Sequence, residues 1–127
     1  MYFMIMIEQD LPNFGFKFCD DTLYAQISGE IDMEIASKWR DALDFEITKN
    51  HARNLIFDFS TVNFIDSSGL GVILGRYKKI DRVCGKVIIH GVNETVYKIL
   101  VLSGFDKIMK IIPLVPMNKQ AGENYEF

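Results

Sequence analysis

Positive charge, cysteine and proline are all scarce in this chain of 127 residues. The net charge is −3 and the basic residues form no block, which excludes the electrostatic footprint of a nucleic-acid-binding protein. The two cysteines, Cys19 and Cys84, lie far apart and match no metal-binding spacing. They are predicted to be buried free thiols in a reducing compartment.

Long hydrophobic runs are also missing. The apolar run at the start, Met1–Ile7, has only seven residues and is too short to span a bilayer. No Lys or Arg precedes it, so it does not resemble a signal peptide. We therefore expect residues 1–13 to be an N-terminal extension or an extra edge strand. We also expect the protein to lie in the cytoplasm and to have no membrane partner.

Catalytic and ligand-binding patterns are absent as well. The nucleophile motif G-x-S-x-G fails at Ser67 because Ile65 stands where the first glycine should be. The glycines after Ser67 have one residue too many for G-x-G-x-x-G, and there is no Walker loop. The two histidines, His51 and His90, lie in no motif. The sequence therefore predicts no catalytic residue, no cofactor and no metal. The alternative is an enzyme or a nucleotide-binding domain that uses Ser67 directly.

Strand-like and helix-like segments alternate over one domain's length, without an internal repeat, linker or low-complexity block. An opening hairpin followed by this alternation predicts an α/β domain with a small mixed sheet. The predicted strands are residues 16–19, 22–28, 54–59, 86–90 and 107–112, and the predicted helices follow Asp32, Asp66 and Asn93. The hairpin should turn at Asp20–Asp21, and residues 116–127 should form a polar, flexible tail.

The helix predicted from Ser67 to Arg82 carries the most informative residues. At about 100° per residue, one arc of this helix would face the sheet and an adjacent arc is nearly free of side chains. The sheet-facing arc consists of Leu70, Ile73, Leu74, Tyr77 and Ile80. The adjacent arc consists of Ser67, Gly71, Gly75 and Lys78, and Arg76 and Lys79 lie further round, in solvent.

The two glycines of the adjacent arc, Gly71 and Gly75, each cost about 1 kcal/mol relative to alanine in a helix interior. Close approach of another backbone, within this protein or in a partner, would offset that cost. Ser67 would then be a hydroxyl at an open helix start above a smooth surface. The simpler alternative is that Asp66 and Ser67 only cap the helix.

Asp32 and Asp66 each follow a predicted strand and precede a predicted helix. In units of this kind the helix starts at the carboxyl end of the strand, where sites usually form. We therefore expect Asp32 and the pair Asp66–Ser67 to share one rim of the sheet. A role for Asp32 as a helix cap alone is the alternative.

At these residues the chain resembles a known family. The segment Asp66–Lys78, read as DSSGLGVILGRYK, closely resembles the phosphorylation segment of the STAS-domain anti-anti-sigma factors of bacteria, and the sporulation members above all. Ser28–Asp32 is similar to the family's G-E-[IL]-D element, and Leu102–Phe105 is similar to its late S-G-[LF] element. The resemblance covers residues 16–112, and residues 14–115 are taken as the STAS domain. It implies a small mixed sheet with three to four helices packed mainly on one face.

The resemblance also implies a mechanism. The unmodified antagonist would bind an anti-sigma factor, a serine kinase with bound nucleotide, and so release the sigma factor. The kinase would then phosphorylate Ser67, the antagonist would dissociate, and a serine phosphatase would restore it. The antagonist would have no catalytic activity of its own. The expected partner contacts are Asp32, Asp66, Ser68, Gly69, Gly71, Gly75 and Lys78.

One stretch departs from the family pattern, because Met33–Ile35 replaces the more polar residues usual after Asp32 in sporulation members. An antagonist of a general stress pathway, or a scaffold in a larger signalling assembly, is therefore the alternative within the family. A phosphate on Ser67 would lie at a helix N-terminus, which favours negative charge. We therefore expect the switch to act at the interface and not by unfolding the helix.

Overall fold

The computed structural model describes residues 13–116, which fold into one mixed sheet with three α-helices. The predictions of an extension over residues 1–13 and of a tail over residues 116–127 fall almost entirely outside these residues. The elements are β1 (Phe14–Cys19), β2 (Thr22–Ile31), α1 (Met33–Asn50), β3 (Asn54–Ile65), α2 (Ser67–Arg82), β4 (Val87–Val92), α3 (Glu94–Leu102), a 3-10 turn (Phe105–Lys107) and β5 (Lys110–Pro113).

The sheet follows the order β1-β2-β3-β4-β5. Strands β1 and β2 form the predicted antiparallel hairpin, and β2 to β5 pair in parallel through helical crossovers. Asp20 and Asp21 at the hairpin turn have φ values of 51° and 64°. Two left-handed residues are what a two-residue hairpin turn requires, and Asp tolerates that conformation better than most residues. The predicted α/β class is confirmed.

The buried side chains of the sheet project from one face, where they meet the helices. Trp39 of α1 packs on Phe57 and Phe59 of β3, with ring centroids 5.4 Å and 6.0 Å away. These three side chains are fully buried and are the largest of the core. Alternate residues of the same strands, such as Ile56 and Ile88, point to the other face and stay half-exposed.

Three predicted strand boundaries are wrong by three residues or more. Strand β2 continues past Gly29 to Ile31, and β3 continues past residue 59 to Ile65. The added residues of β2 pair with the added residues of β3, after shifts in the register of the two strands. Each segment is therefore stabilised by a strand that is distant in sequence, which local sequence patterns do not reveal. The last strand begins only at Lys110 because residues 105–107 form the 3-10 turn.

Both cysteines are exposed, so the prediction of buried thiols is wrong. Cys19 ends β1 beside the hairpin turn, and Cys84 lies in the connection after α2 with φ of 61°. Both residues lie where the chain reverses direction, and such segments stay at the surface. They are free thiols, as predicted.

The position of Arg76 was also predicted wrongly. Its exposed fraction is 8%, and its Nε lies 3.1 Å from Oδ1 of Asp44 on α1. The ammonium group of Lys79 lies 3.2 Å from the same oxygen. Burial lowers the pKa of Arg76, and the charge of Asp44 opposes that effect. Arginine stays charged even so, and the ion pair connects α2 to α1.

The buried stripe of α2 is therefore rotated from the predicted one. Leu70, Leu74 and Tyr77 are only half-buried, whereas Val72 is buried. The shift arises because α2 packs against α1 as well as against the sheet. The residues of α2 that are buried are Gly69, Val72, Ile73, Arg76 and Ile80.

Loss of the Asp44 carboxylate should destabilise the fold. Asp44→Ala leaves Arg76 buried without its counter-charge, and we expect a loss of about 1–3 kcal/mol in the free energy of unfolding. Asp41→Ala is the matched control, because Asp41 pairs with Arg40 in an exposed ion pair on the same helix. The control should lie within about 0.5 kcal/mol of the parent. Urea unfolding of the two variants compares these effects, and equal losses would contradict the role of Asp44.

Candidate functional site

Ser67 is the first residue of α2 and is exposed. The residue before it, Asp66, has extended backbone and caps the helix as predicted. Oδ1 of Asp66 accepts hydrogen bonds from the N–H groups of Ser68 and Gly69 at 2.9 Å and 3.2 Å. This cap satisfies two of the helix's open donors and leaves Ser67 outside the capping bonds.

The two adjacent serines have different environments. The Ser68 hydroxyl donates to Oδ1 of Asp66 at 2.5 Å, and the Ser68 side chain is half-buried. The Ser67 hydroxyl makes no hydrogen bond to any of residues 13–116 and faces solvent. Of the two hydroxyls, only that of Ser67 is free to enter the active site of another protein.

Asp66 is held in its ionised form. The hydrogen bond from the Ser68 hydroxyl is the main cause that lowers the pKa of the Asp66 carboxyl. Burial opposes it, and the hydrogen bonds from the N–H groups of Gly69 and Ser68 add to the lowering. A negative charge therefore stands beside Ser67 at neutral pH. A phosphate on Ser67 would be a second anion at the same point of the rim.

The lowered pKa of Asp66 predicts a pH effect on stability. The folded-state pKa lies below the unfolded value of about 4, so the stabilising cap is present at neutral pH and is lost as pH falls through the folded pKa. Asp66→Asn keeps a good capping residue that does not titrate. We expect urea unfolding midpoints of this variant to fall less between pH 6 and pH 3 than those of the parent. Ser68→Ala should show an intermediate loss, and parallel pH curves would contradict this account.

The rim predicted from the sequence is confirmed. Ile31 and Ile65 lie side by side in parallel register at the ends of β2 and β3, and the N–H of Asp66 donates to the carbonyl of Ile31 at 3.1 Å. Asp32 follows Ile31 and caps α1, accepting from the N–H of Ile35 at 3.1 Å. The two caps, and with them Ser67, are therefore neighbours at one edge of the sheet.

Gly71 and Gly75 of α2 face open space. A Cβ atom added at either position would meet no atom within 4 Å among the described residues. Lys78, one turn further along, is exposed. Ser67, Gly71, Gly75 and Lys78 together form an open strip about 16 Å long at 1.5 Å per residue. Tight packing against any of residues 13–116 therefore does not explain these two glycines.

Gly69 differs from the other two glycines. It is buried, and a Cβ atom there would lie 2.6 Å from Cγ1 of Ile65 and 2.7 Å from Cγ2 of Ile31. Its small size lets α2 start directly against the ends of β2 and β3. Gly69 was predicted to contact a partner. In the structure it packs against Ile65 and Ile31. Its contact with a partner stays a prediction.

Neither histidine lies close to Ser67 along the fold. His51 caps the C-terminus of α1, a helix whose 18 residues separate it by roughly 27 Å from the rim. His90 pairs with Asp58 of β3, seven residues before the strand ends at Ile65 and so roughly 20 Å from the rim. Ser67 therefore has no imidazole base on the described part of the chain.

Other site types find no support in residues 13–116. No group of His, Cys, Asp and Glu side chains there has an arrangement that could hold a metal ion. No helix in that range is long and apolar enough to span a bilayer.

Comparison with known proteins identifies the family. The model of the STAS domain family matches residues 16–116. The chain belongs to the STAS domain family. The anti-sigma F factor antagonist of Paenibacillus polymyxa is 38% identical over 89 residues, which cover 70% of this chain and 76% of that protein. The resemblance noted in the sequence is thereby confirmed, and the chain is a relative of anti-sigma factor antagonists.

Solved STAS structures show the same fold. A crystal structure of a Thermotoga maritima protein assigned as an anti-sigma factor antagonist has a TM-score of 0.73 at 28% identity, covering 87% of this chain and 92% of that chain. The Bacillus cell fate determinant SpoIIAA in its phosphorylated form has a TM-score of 0.63 at 24% identity, covering 89% and 99%. These likenesses confirm the small mixed sheet with an opening hairpin.

Two exposed apolar residues of this STAS domain were not identified as site residues from the sequence. Met33 is 73% exposed and directly follows the cap Asp32. Phe64 is 45% exposed and pairs with Glu30 two residues before the cap Asp66. The sequence does show two large apolar residues next to the polar residues of the rim, and this could have pointed to them. Exposed apolar side chains that lie together often mark a surface for contact with another protein.

Proposed function

We propose that this STAS domain is an anti-sigma factor antagonist that is switched by phosphorylation of Ser67. The unmodified form binds an anti-sigma factor that is a serine kinase with bound nucleotide, and this binding releases a sigma factor in the cytoplasm. Phosphorylation by the same kinase ends the interaction, and a serine phosphatase reverses it. Family membership and the 38% identity to an anti-sigma F factor antagonist support this proposal.

One observation carries the choice of acceptor. The Ser67 hydroxyl is exposed and unbonded within residues 13–116, whereas the Ser68 hydroxyl is held by Asp66 at 2.5 Å. A kinase must bring the acceptor oxygen into line with the terminal phosphate of its nucleotide. Ser67 can reach such a site without breaking any bond of the helix cap.

The partner surface follows from what surrounds Ser67. The open strip allows the backbone of α2 to be approached closely, and the rim adds the carboxylates of Asp32 and Asp66. Met33 and Phe64 supply exposed apolar area of the kind that anchors protein interfaces. A partner that covers the rim and the strip together would contact three elements, namely α1, α2 and the end of β3.

Charge explains the release step. A phosphate on Ser67 adds about −1.5 to −2 charge next to Asp66, and the nearest basic residue of the open strip, Lys78, is about 16 Å away along the helix. An interface fitted to a neutral hydroxyl would have to bury this dianion without a counter-charge from this chain. Dissociation is therefore favoured while the fold itself has no reason to change.

A direct chemical role for Ser67 in this chain is disfavoured. A serine nucleophile needs a base within hydrogen-bond reach, and both histidines of the described residues lie roughly 20 Å or more away by strand and helix lengths. We therefore propose that the domain is acted upon and is not an enzyme.

Displacement of a sigma factor tests the function. A fluorescent sigma factor bound to its anti-sigma kinase should be released when the unmodified chain is added at stoichiometric amounts. Ser67→Ala should release it as well, and the phosphorylated chain should not. Use of anti-sigma factors from a sporulation pathway and from a general stress pathway shows which partner this chain recognises. Failure to displace either sigma factor would contradict the proposal.

A further inference from the structure

The face of the sheet opposite the helices carries a row of side chains in continuous register. Lys17 pairs with Tyr24, Tyr24 with Ile56, Ile56 with Ile88 and Ile88 with Lys110, so that one residue from each strand lies side by side. Tyr24 is 43% exposed, and the two isoleucines are half-exposed and are not part of the hydrophobic core. We call Tyr24, Ile56 and Ile88 the apolar row, and Lys17 and Lys110 the end lysines.

The end lysines carry positive charge that their surroundings do not balance. Both residues are exposed, and neither forms an ion pair with any of residues 13–116. Their Cα atoms are separated by four strand spacings, or roughly 19 Å. The apolar row therefore has an unpaired cation at each end, within the part of the chain that the structure describes.

A hollow lies at each end of the apolar row. The hollow beside Lys17 has a volume of about 340 Å³, and Gly15 leaves it open, because a Cβ atom there would meet none of the described residues within 4 Å. The hollow beside Lys110 has a volume of about 230 Å³ and is partly lined by Ile108, which is 40% exposed. Hollows of this kind receive the anchoring side chains of a protein partner.

Exposure of this face is unusual for parallel strands. Sheets built from parallel strands normally have helices over both faces, because their strands carry apolar residues on both sides. Here β2 to β5 are parallel, and none of the three helices within residues 13–116 lies over the apolar row. A helix of another protein would cover the row in the way that is usual for such sheets.

The chemistry of the row defines this partner. A helix satisfies most of its own backbone N–H and C=O groups, whereas an extended segment laid on the apolar row would leave some of them unpaired. At 1.5 Å per residue, about 13 helical residues reach from Lys17 to Lys110. Carboxylates at the two ends of such a helix would meet the end lysines, and apolar side chains between them would cover the row.

We propose that the apolar row and the end lysines form a docking surface for an amphipathic helix of another protein. This helix has an apolar face and acidic residues about 13 positions apart. The surface lies on the opposite side of the sheet from the helices, so its partner and a partner on the open strip of α2 can bind at the same time. The proposal does not depend on the function of Ser67.

A second copy of this chain and an anionic membrane fit the surface less well. A two-fold axis along the row would bring the two copies of Lys17 together, and an axis along β3 would bring Lys17 onto Lys110, so that like charges meet in either case. Asp58 and Asp81 line the two hollows and would face the phosphates of an anionic bilayer. A helix can place neutral side chains at these two points.

Two synthetic peptides test the docking surface. One is a helix of about 15 residues with leucines along one face and glutamates in its first and last turns, and the other has lysines in place of the glutamates. We expect the full chain to bind the glutamate peptide at least about tenfold more tightly, with shifts in the methyl NMR signals of Ile56 and Ile88. Equal affinity for the two peptides, or shifts confined to other isoleucines, would overturn the proposal.

Charge reversal supplies the matched control. The double variant Lys17→Glu/Lys110→Glu should prefer the lysine peptide, because both ends of the row are then acidic. Lys38→Glu/Lys98→Glu changes the net charge by the same amount at exposed positions of α1 and α3 and should keep the preference for glutamate. If both double variants lost that preference, the overall charge and not the row would select the peptide, and the proposal would be wrong.

The same methyl signals distinguish the other occupants. We expect Ile56 and Ile88 to keep their shifts when the chain is concentrated without peptide and when vesicles of phosphatidylglycerol are added. Shifts that depend on concentration would assign the face to a second copy of the chain, and shifts caused by the vesicles would assign it to a membrane. Either result would overturn the proposal.

Discussion

Phosphorylated chain should bind the anti-sigma factor at least about 100-fold more weakly than unmodified chain, with no loss of helical circular dichroism. The 100-fold figure corresponds to about 2.7 kcal/mol, a modest estimate for burying an unpaired dianion at an interface. The helix should persist because Asp66 already accepts the N–H groups of Ser68 and Gly69. The phosphate adds charge at a helix N-terminus, where the dipole favours it, without displacing the cap.

Two variants separate charge from the loss of the hydroxyl. Ser67→Ala should bind within a few-fold of the parent, since it removes the acceptor but adds no charge. Ser67→Asp should weaken binding by less than phosphate does, because it carries one charge instead of nearly two. Isothermal titration calorimetry measures the affinity for the anti-sigma factor, and circular dichroism of the same samples measures the helical content. A phosphorylated chain that loses binding together with much of its helical signal would be a refolding switch and would contradict the interface account.

Substitutions of the two kinds of glycine in α2 should have opposite effects. Gly75→Leu adds a side chain to the open strip and should weaken partner binding at least about tenfold, because a bulky group prevents close approach. The same change should raise the stability of the free domain by several tenths of a kcal/mol, since leucine is the better helix former. Gly69→Ala should instead lower stability by about 1–3 kcal/mol, because its Cβ would overlap Ile65 and Ile31.

Thermal unfolding of Gly75→Leu and Gly69→Ala measures their stability, and titration with the partner measures their affinity. Gly71→Leu is the companion variant, because Gly71 also faces open space, and it should behave like Gly75→Leu. Severe destabilisation by Gly75→Leu in the absence of a partner would show that the strip packs inside the protein. Normal partner binding by both leucine variants would show that the strip is not the contact surface.

The helix starts were predictable because capping is local. Asp32, Asp66 and Asn93 each accept a hydrogen bond from an N–H two or three residues ahead, and each stands immediately before its helix. The shared rim was also predictable, since adjacent parallel strands bring their following helices to one edge. The exposed position of Ser67 and the open positions of Gly71 and Gly75 followed from helical geometry. The role of Ser67 as acceptor comes from the family resemblance and stays a prediction.

What the sequence did not reveal depends on contacts between distant segments. Arg76 is buried because Asp44 of α1 stands opposite it, and no pattern within α2 reveals that partner. The same holds for Gly69, which was grouped with the open glycines because its burial depends on Ile31 of another strand. The extension of β3 to Ile65 likewise depends on its pairing with the end of β2.

Intact-mass analysis after incubation with the anti-sigma kinase and ATP tests the central claim most directly. The account predicts a gain of one phosphate, located on Ser67 by peptide fragmentation, absent from Ser67→Ala and retained in Ser68→Ala. Ser68→Ala is the matched control, because it removes the neighbouring hydroxyl and leaves the acceptor in place. A phosphate that persists in Ser67→Ala, or that is located on Ser68 in the parent chain, would contradict the assignment of Ser67 as the switch.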